Sequence, residues 1–233
     1  MSVTNEEGEM SEDPAYQNYW RRKQLLAERP PRFPRTRWWK TEGLSQIEHI
    51  YFEAIQRSSS LLDFGAGDGR VQRKFAAAGF RGEYHTLDVG TEHQHTYRDL
   101  SQVLRKYDAV LCLDVIEHMP LRDGLGLLQK LCSLLTPGGV LILQTPNARC
   151  IANPMAWDMT HVQIYNAGDL WAYLTCLGMV TEGYRVAFTS ERPSLRDRAR
   201  ALLGRFIVTR LLGLDDTANI AILARKPASG AVA

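Results

Sequence analysis

The chain has 233 residues, 45% of them hydrophobic and 23% charged, with a formal net charge of +2. That size and balance fit one globular domain with extensions, and they exclude a chain held open by its own charge or one that binds nucleic acid through overall basicity. No run reaches the roughly eighteen apolar residues of a membrane span, and Cys112, Cys132, Cys150 and Cys176 form no Cys-x-x-Cys pair, so buried thiols in a reducing, cytoplasmic setting are expected.

Residues 1–14 carry five acids and no base and are expected to be a disordered acidic tail. Residues 15–57 follow as a basic, aromatic arm and a helix. In YQNYWRRKQLLAERPPRFPRTRWWK aromatics alternate with Arg and Lys, and Pro30, Pro31 and Pro34 forbid a continuous helix. With Trp20, Trp38 and Trp39, this arm either closes over an anionic or sugar-bearing ligand as a lid or packs on the domain. Leu44, Ile47, Ile50, Tyr51 and Ile55 then recur at helical intervals and predict a helix beside the core.

From residue 58 to 227 apolar strands alternate with amphipathic helices. The strands are expected at SLLDFG, EYHTLDV, YDAVLCLD, GGVLILQTP, VTEGYRVAFTS and NIAILARKP, and the helices at RVQRKFAAAG, LRDGLGLLQKLCSLL and AGDLWAYLTCLG. This pattern predicts a mostly parallel sheet with helices on both faces. Residues 228–233 are expected to be a flexible tail.

The first strand runs into Asp63-Phe64-Gly65-Ala66-Gly67-Asp68-Gly69. Three glycines in five residues mark a strand-to-helix turn pressed against something, and two acids beside them disfavour a pyrophosphate and suit a ligand with positive charge. Open sheets of this kind bind ligands beyond the carboxyl ends of their strands, where this chain places acids. Asp63 ends the first strand and Asp88 the second, Asp99 follows in YRDL, and Asp114, Glu117 and His118 close the strand at LCLDVIEHM. Each acid taken singly also suits a helix N-cap or a solvated loop.

In these residues the chain resembles the class I S-adenosylmethionine-dependent methyltransferases. The matching pieces are LLDFGAGDGR, HTLDV, YDAVLCLDVIEHM, LLTPGGVLILQTPN and DMTHVQIYNAGDLWAYLTCLGM, in that family's order, over roughly residues 59 to 180. The resemblance implies a Rossmann-like seven-strand-type sheet with an antiparallel last strand. It also implies that Gly65, Ala66 and Gly67 let the backbone approach the methionine part of the cofactor, with Asp63 near its amino end. Asp88 would hold the ribose hydroxyls, Asp99 the adenine amino group, and Leu113 with Asp114 would line the methionine side. The connection between Asp88 and the strand at Asp108 is shorter than that family usually has, room for at most a brief strand at HTY and one short helix.

Methyl transfer needs a placed acceptor and, for a hydroxyl, a base. His118 and His161 are the candidates, with Glu117 beside them; either histidine also has a purely structural reading, His161 ordering its own loop through Asp158 or Thr160. DVIEH further resembles the Glu-x-x-Glu-His segment that binds a divalent cation in some O-methyltransferases of the class, which implies Mg2+ or Mn2+ on Asp114, Glu117, His118 and His161. The expected function is O-methylation of a small molecule or of a sugar or glycolipid acceptor. The alternatives are an RNA methyltransferase, supported only by the basic arm, and a cofactor-binding partner subunit without catalysis. An inserted helix at about 194–214, SLRDRARALLGRFIVTRLLGL, has five arginines against one acid and an apolar stripe, so it either covers the domain's core or lies on the inner face of an anionic membrane.

Overall fold

The structure is a computed structural model that describes residues 13–36, 43–187 and 194–228. Helix α1 (Tyr19–Glu28) ends just ahead of Pro30, and helix α2 (Gln46–Ile55) follows. Ser45 starts α2 with a capping box, its hydroxyl accepting from the Glu48 N–H while the Glu48 carboxylate accepts from its own. Then come β1 (Ser60–Phe64), α3 (Arg70–Ala77), β2 (Glu83–Leu87), β3 (Tyr107–Leu113), α4 (Leu121–Ser133) and β4 (Leu135–Pro146). The last described elements are α5 (Ala167–Cys176), β5 (Val180–Val186), α6 (Leu195–Phe206) and β6 (Asn219–Arg225).

The strands form one sheet in the order β2-β1-β3-β4-β6-β5. β1 lies parallel to β2 and β3, and β3 to β4, whereas β6 runs antiparallel to β4 and β5. The Rossmann-like fold with an antiparallel last strand is therefore as expected, but among the described residues the sheet has six strands rather than seven. Between β2 and β3 the chain makes a single bridge, Leu87 with Tyr97, and a short turn at Leu100–Gln102. Tyr97 donates its N–H to the Thr86 carbonyl at 3.0 Å, which leaves a one-bridge remnant where a further edge strand would lie. A right-handed excursion through a helix needs more chain than this connection has.

Side chains alternate across the sheet. Val140 and Ile142 of β4 join a core under α2 and α3, while Leu141 and Leu143 join another under α4 and α5. Burial on both faces is why the central strands read as unbroken apolar runs.

The arm is packed on the domain in its described part. Thr36 donates to the Arg185 carbonyl at 2.8 Å, Arg185 donates to the Pro34 carbonyl at 2.9 Å, and Arg35 pairs with Asp216 at 2.8 Å. A Cβ built on Gly183 would meet the Phe33 ring at 2.0 Å, so that glycine is the ring's seat. The arm thus covers the exposed edge at β5. Arg37, Trp38, Trp39 and Lys40 lie outside the described residues, as do residues 1–12, Phe188 to Ser190 of the expected fifth strand, and residues 229–233. Among the described residues no helix is long and apolar enough to cross a membrane.

Candidate active site

The glycine loop leaves β1 at the carboxyl end of the sheet. Gly65, Gly67 and Gly69 all have φ in the left-handed region, and a Cβ on Gly65 would sit 2.3 Å from Val115 Cγ2, so the loop is pressed against the turn after β3. Asp88 stands behind it. One carboxylate oxygen accepts from the Gly67 N–H at 2.8 Å and the other from the Gly90 N–H at 2.8 Å. Burial raises this carboxyl, but those two backbone donors together with the nearby His95 and Arg98 hold Asp88 below the usual carboxylate range.

A cleft of about 350 Å3 opens in front of the loop, lined among others by Asp63, Gly65, Ala66, Gly67, Leu113 and Asp114. Asp63 is buried and accepts from the Tyr84 hydroxyl at 2.7 Å. Desolvation pushes its carboxyl up to about 6 even against that hydrogen bond. Asp114, at φ +56°, is clamped by two amides, Gln144 at 2.9 Å and Asn219 at 3.0 Å, and Gln144 also accepts from the buried Tyr51 hydroxyl at 2.9 Å. The floor of the cleft is therefore a network joining α2, β4 and β6 to the end of β3.

Beside the cleft, Glu117, His118 and His161 bring one ligand atom each to within 4.8 Å of one another. Glu117 is fully buried. Its Oε2 accepts from the Thr145 hydroxyl at 2.9 Å, while Oε1 takes no hydrogen bond from another described residue, and burial pushes the carboxyl up to about 7. The tautomers of both histidines follow from their partners. His161 Nδ1 faces the Pro154 carbonyl at 2.9 Å, which can only accept, so Nδ1 carries the proton. Thr160 gives its one hydroxyl proton to Asp158 at 2.6 Å, so the contact between Thr160 Oγ1 and His118 Nδ1 at 2.8 Å is a donation from the imidazole. With Nδ1 donating, the neutral form of each ring carries its lone pair on Nε2.

Not every expected residue arrives at these two places. Asp99 does not line this cleft, its carboxylate accepting from the Ser101 N–H at 2.7 Å as the cap of the Leu100–Gln102 turn, and Asp88 likewise stands outside the lining, behind the glycine loop. The expected metal set loses Asp114, whose carboxylate belongs to the amide clamp, and keeps Glu117, His118 and His161. The side chains of Asp158 and Thr160 line up behind the His118 ring, while His161 is tied to the same loop through its own N–H, which donates to the Asp158 carbonyl at 3.3 Å. Arg70, Gln144 and Asn219 also line the cleft, although no motif in the sequence marks them. The only signal for them is position, Arg70 directly after the last glycine of the loop and the two amides at the ends of strands.

The sheet order, the glycine loop and the acids at the strand ends together define a class I S-adenosylmethionine-dependent methyltransferase. The fold is similar to the crystal structure of a S-adenosylmethionine-dependent methyltransferase from Archaeoglobus fulgidus, with a TM-score of 0.57 and 16% identity over 91% of this chain and 98% of that one. A family model described as a methyltransferase domain matches residues 37–179, and the chain belongs to that family. It is also similar to ubiquinone biosynthesis O-methyltransferases. The one from Aeromonas salmonicida is 28% identical over 53% of this chain and 61% of its own length, and the one from Haemophilus ducreyi 30% identical over 47% and 59%. The match spans about three fifths of these relatives.

Proposed function

We propose that the chain transfers a methyl group from S-adenosylmethionine to an oxygen of a small-molecule, sugar or glycolipid acceptor. The observation that carries this reading is the cluster of Glu117, His118 and His161, one ligand atom of each within 4.8 Å of the others, with both Nδ1 atoms engaged elsewhere and Glu117 only three residues from the cleft-lining Asp114. The cofactor, when bound, supplies an electrophilic methyl for in-line displacement. Asp63 lies where it can face the cofactor's ammonium, and Asp88 keeps free lone pairs for ribose hydroxyls while it braces the loop. Arg70 and Lys74 are the cations of the cleft lining; Lys74 pairs with Glu48, which leaves Arg70 for the methionine carboxylate. Either imidazole can take the proton of an acceptor hydroxyl through Nε2.

The same donor set fits a divalent ion. Glu117 Oε1 lacks a partner and both Nε2 atoms are available, so these three would hold Mn2+ or Mg2+, and two imidazoles suit the former better. When bound, such an ion would lower the pKa of the acceptor hydroxyl. The Thr145 hydroxyl and the Asp158–Thr160 pair orient these donors from behind.

Two further observations bear on setting and substrate. All four cysteines are free and at least partly buried, which supports a reducing, cytoplasmic compartment. Lys23 and Arg35 of the arm are taken by Asp169 and Asp216, which favours a small acceptor over RNA. The test is a methyl-transfer screen with labelled cofactor against phenolic quinone precursors, sugar nucleotides, lipid-linked glycans and RNA, with and without chelator. Turnover confined to hydroxyl acceptors supports the reading; cofactor binding without turnover on any of them, or turnover on RNA alone, overturns it.

A further inference from the structure

Between β5 and β6 the chain leaves the sheet for α6 and a π-turn at Ile207–Leu211. It leaves and returns at the rim of the cofactor cleft, whose lining includes Val186 and Ala187 on one side of the excursion and Ala218 and Asn219 on the other. The helix does not bury its apolar residues against its own domain. Leu202, Leu203, Phe206, Ile207, Leu211 and Leu212 are 40% to 69% exposed, far more apolar surface than one amphipathic helix of a packed domain leaves open. The segment 194–214 holds five arginines and a single acid, Asp197, and Arg196 and Arg210 are exposed.

The end of this excursion is tied to the loop that carries His161. Asp215 donates to the Arg149 carbonyl and accepts from the Ile151 N–H, both at 2.9 Å, and Arg149 reaches the Gly213 carbonyl at 2.6 Å. That loop in turn exposes Ile151, Trp157 and Met159, the last at 97%. Exposed apolar side chains thus stand both on α6 with its turn and on the loop that carries His161.

We propose that α6 and the turn after it dock this protein on an anionic lipid surface, apolar face down, with the acceptor mouth at the interface. Charge decides between occupants. A second copy of this chain would bring a segment of five arginines and one acid against its like, whereas an anionic bilayer suits both the exposed apolar side chains and that positive charge. The consequence is that an amphipathic acceptor could reach His118 and His161 without leaving the lipid. The docking does not depend on what the acceptor is, because its test reads vesicle binding and not methyl transfer.

The experiment is co-sedimentation of the full chain with phosphatidylcholine vesicles with and without phosphatidylglycerol. The wild type is expected to pellet with the anionic vesicles at low salt and to be released as salt screens the arginines. Leu203→Asp with Phe206→Asp, and separately Arg196→Glu with Arg210→Glu, should each lower the partition by about tenfold or more while thermal melting and cofactor binding stay as in the wild type. Should the aspartate pair fail to fold, Leu203→Ser with Phe206→Ser takes its place. No pelleting of the wild type, or wild-type pelleting by either folded pair, overturns the proposal. So does a wild-type dimer that the apolar-face variant dissociates, if neither protein binds vesicles.

Discussion

The cofactor cleft and the histidine cluster stand at neighbouring strand ends, yet they are built on opposite plans. In the cleft and the loop that walls it these carboxylates are met by fixed donors of the chain itself: Asp63 by Tyr84, Asp88 behind the loop by two backbone N–H groups, Asp114 by two amides. In the cluster Glu117 Oε1 is left orphaned, and both imidazoles have their Nδ1 tied back so that Nε2 is unspent. Leaving a buried oxygen unsatisfied costs about 1–3 kcal/mol, which a matched network avoids. The difference is that the cleft's acids are spent largely on contacts within the chain, whereas the cluster keeps one carboxylate oxygen and two ring nitrogens uncommitted to the described residues.

The comparison can be broken most sharply at the cluster. His161→Ala or Glu117→Gln is expected to lower turnover about 10²–10⁴-fold while calorimetry gives a cofactor affinity near that of the wild type. Full activity in both would make the cluster a structural feature.

On the cleft side the expectation is reversed, with affinity changed first. Asp88→Ala should weaken cofactor binding by about 1.5–3 kcal/mol, the scale of lost charge-assisted hydrogen bonds, and titration calorimetry reads this directly. An unchanged dissociation constant would remove Asp88 from the ribose.

Gly65→Ala tests how tightly the loop is held. The left-handed φ of +78° and the approach of Val115 should together lower stability by about 1–3 kcal/mol, visible as a lower midpoint in denaturant. A wild-type midpoint would mean the loop gives way.

The smallest effect concerns protons. Because burial raises the ligand-free Asp63 carboxyl from 3.8 to about 6, it is mostly protonated at pH 5 and mostly ionised at pH 7. A cationic ammonium prefers the ionised form, so cofactor affinity should rise by about tenfold over that interval, and Asp63→Asn should flatten the rise. Stability of the ligand-free chain runs the other way. Its folded state holds a proton that the unfolded state has lost, so this contribution is present below pH 3.8 and disappears as pH climbs through about 6. A pH-independent affinity in the wild type would place the ammonium away from Asp63.

Much of the cleft is legible in the amino-acid sequence. Glycines at 65, 67 and 69 report a local backbone need, and the apolar runs ahead of Asp63 and Asp114 report strands buried on both faces; both signals lie within a few residues of the feature they announce. The acids at the strand ends follow from the same alternation, since a parallel sheet delivers every strand end to one side. Helix α1 escapes such a reading, for its apolar residues are few and it takes its place only against α5.

What only the tertiary structure decided are the matters that join distant parts of the chain. Asp99 resembles the other acids in sequence, and only the structure shows that its carboxylate caps the Leu100–Gln102 turn, outside the cleft lining. Asp114 reads as a metal ligand beside Glu117 and His118, but Gln144 and Asn219, thirty and more residues away, claim both of its oxygens. The basic arm takes its place along β5 only because that strand is the sheet's edge, with hydrogen-bonding groups to offer. Sequence by itself determined periodicity, turn geometry and which chemistry stands at the strand ends, because those depend on neighbours along the chain. Which donor meets which acceptor depends on neighbours in space, and for His118, Thr160 and Asp158 that pairing alone decides which ring nitrogen is left for the reaction.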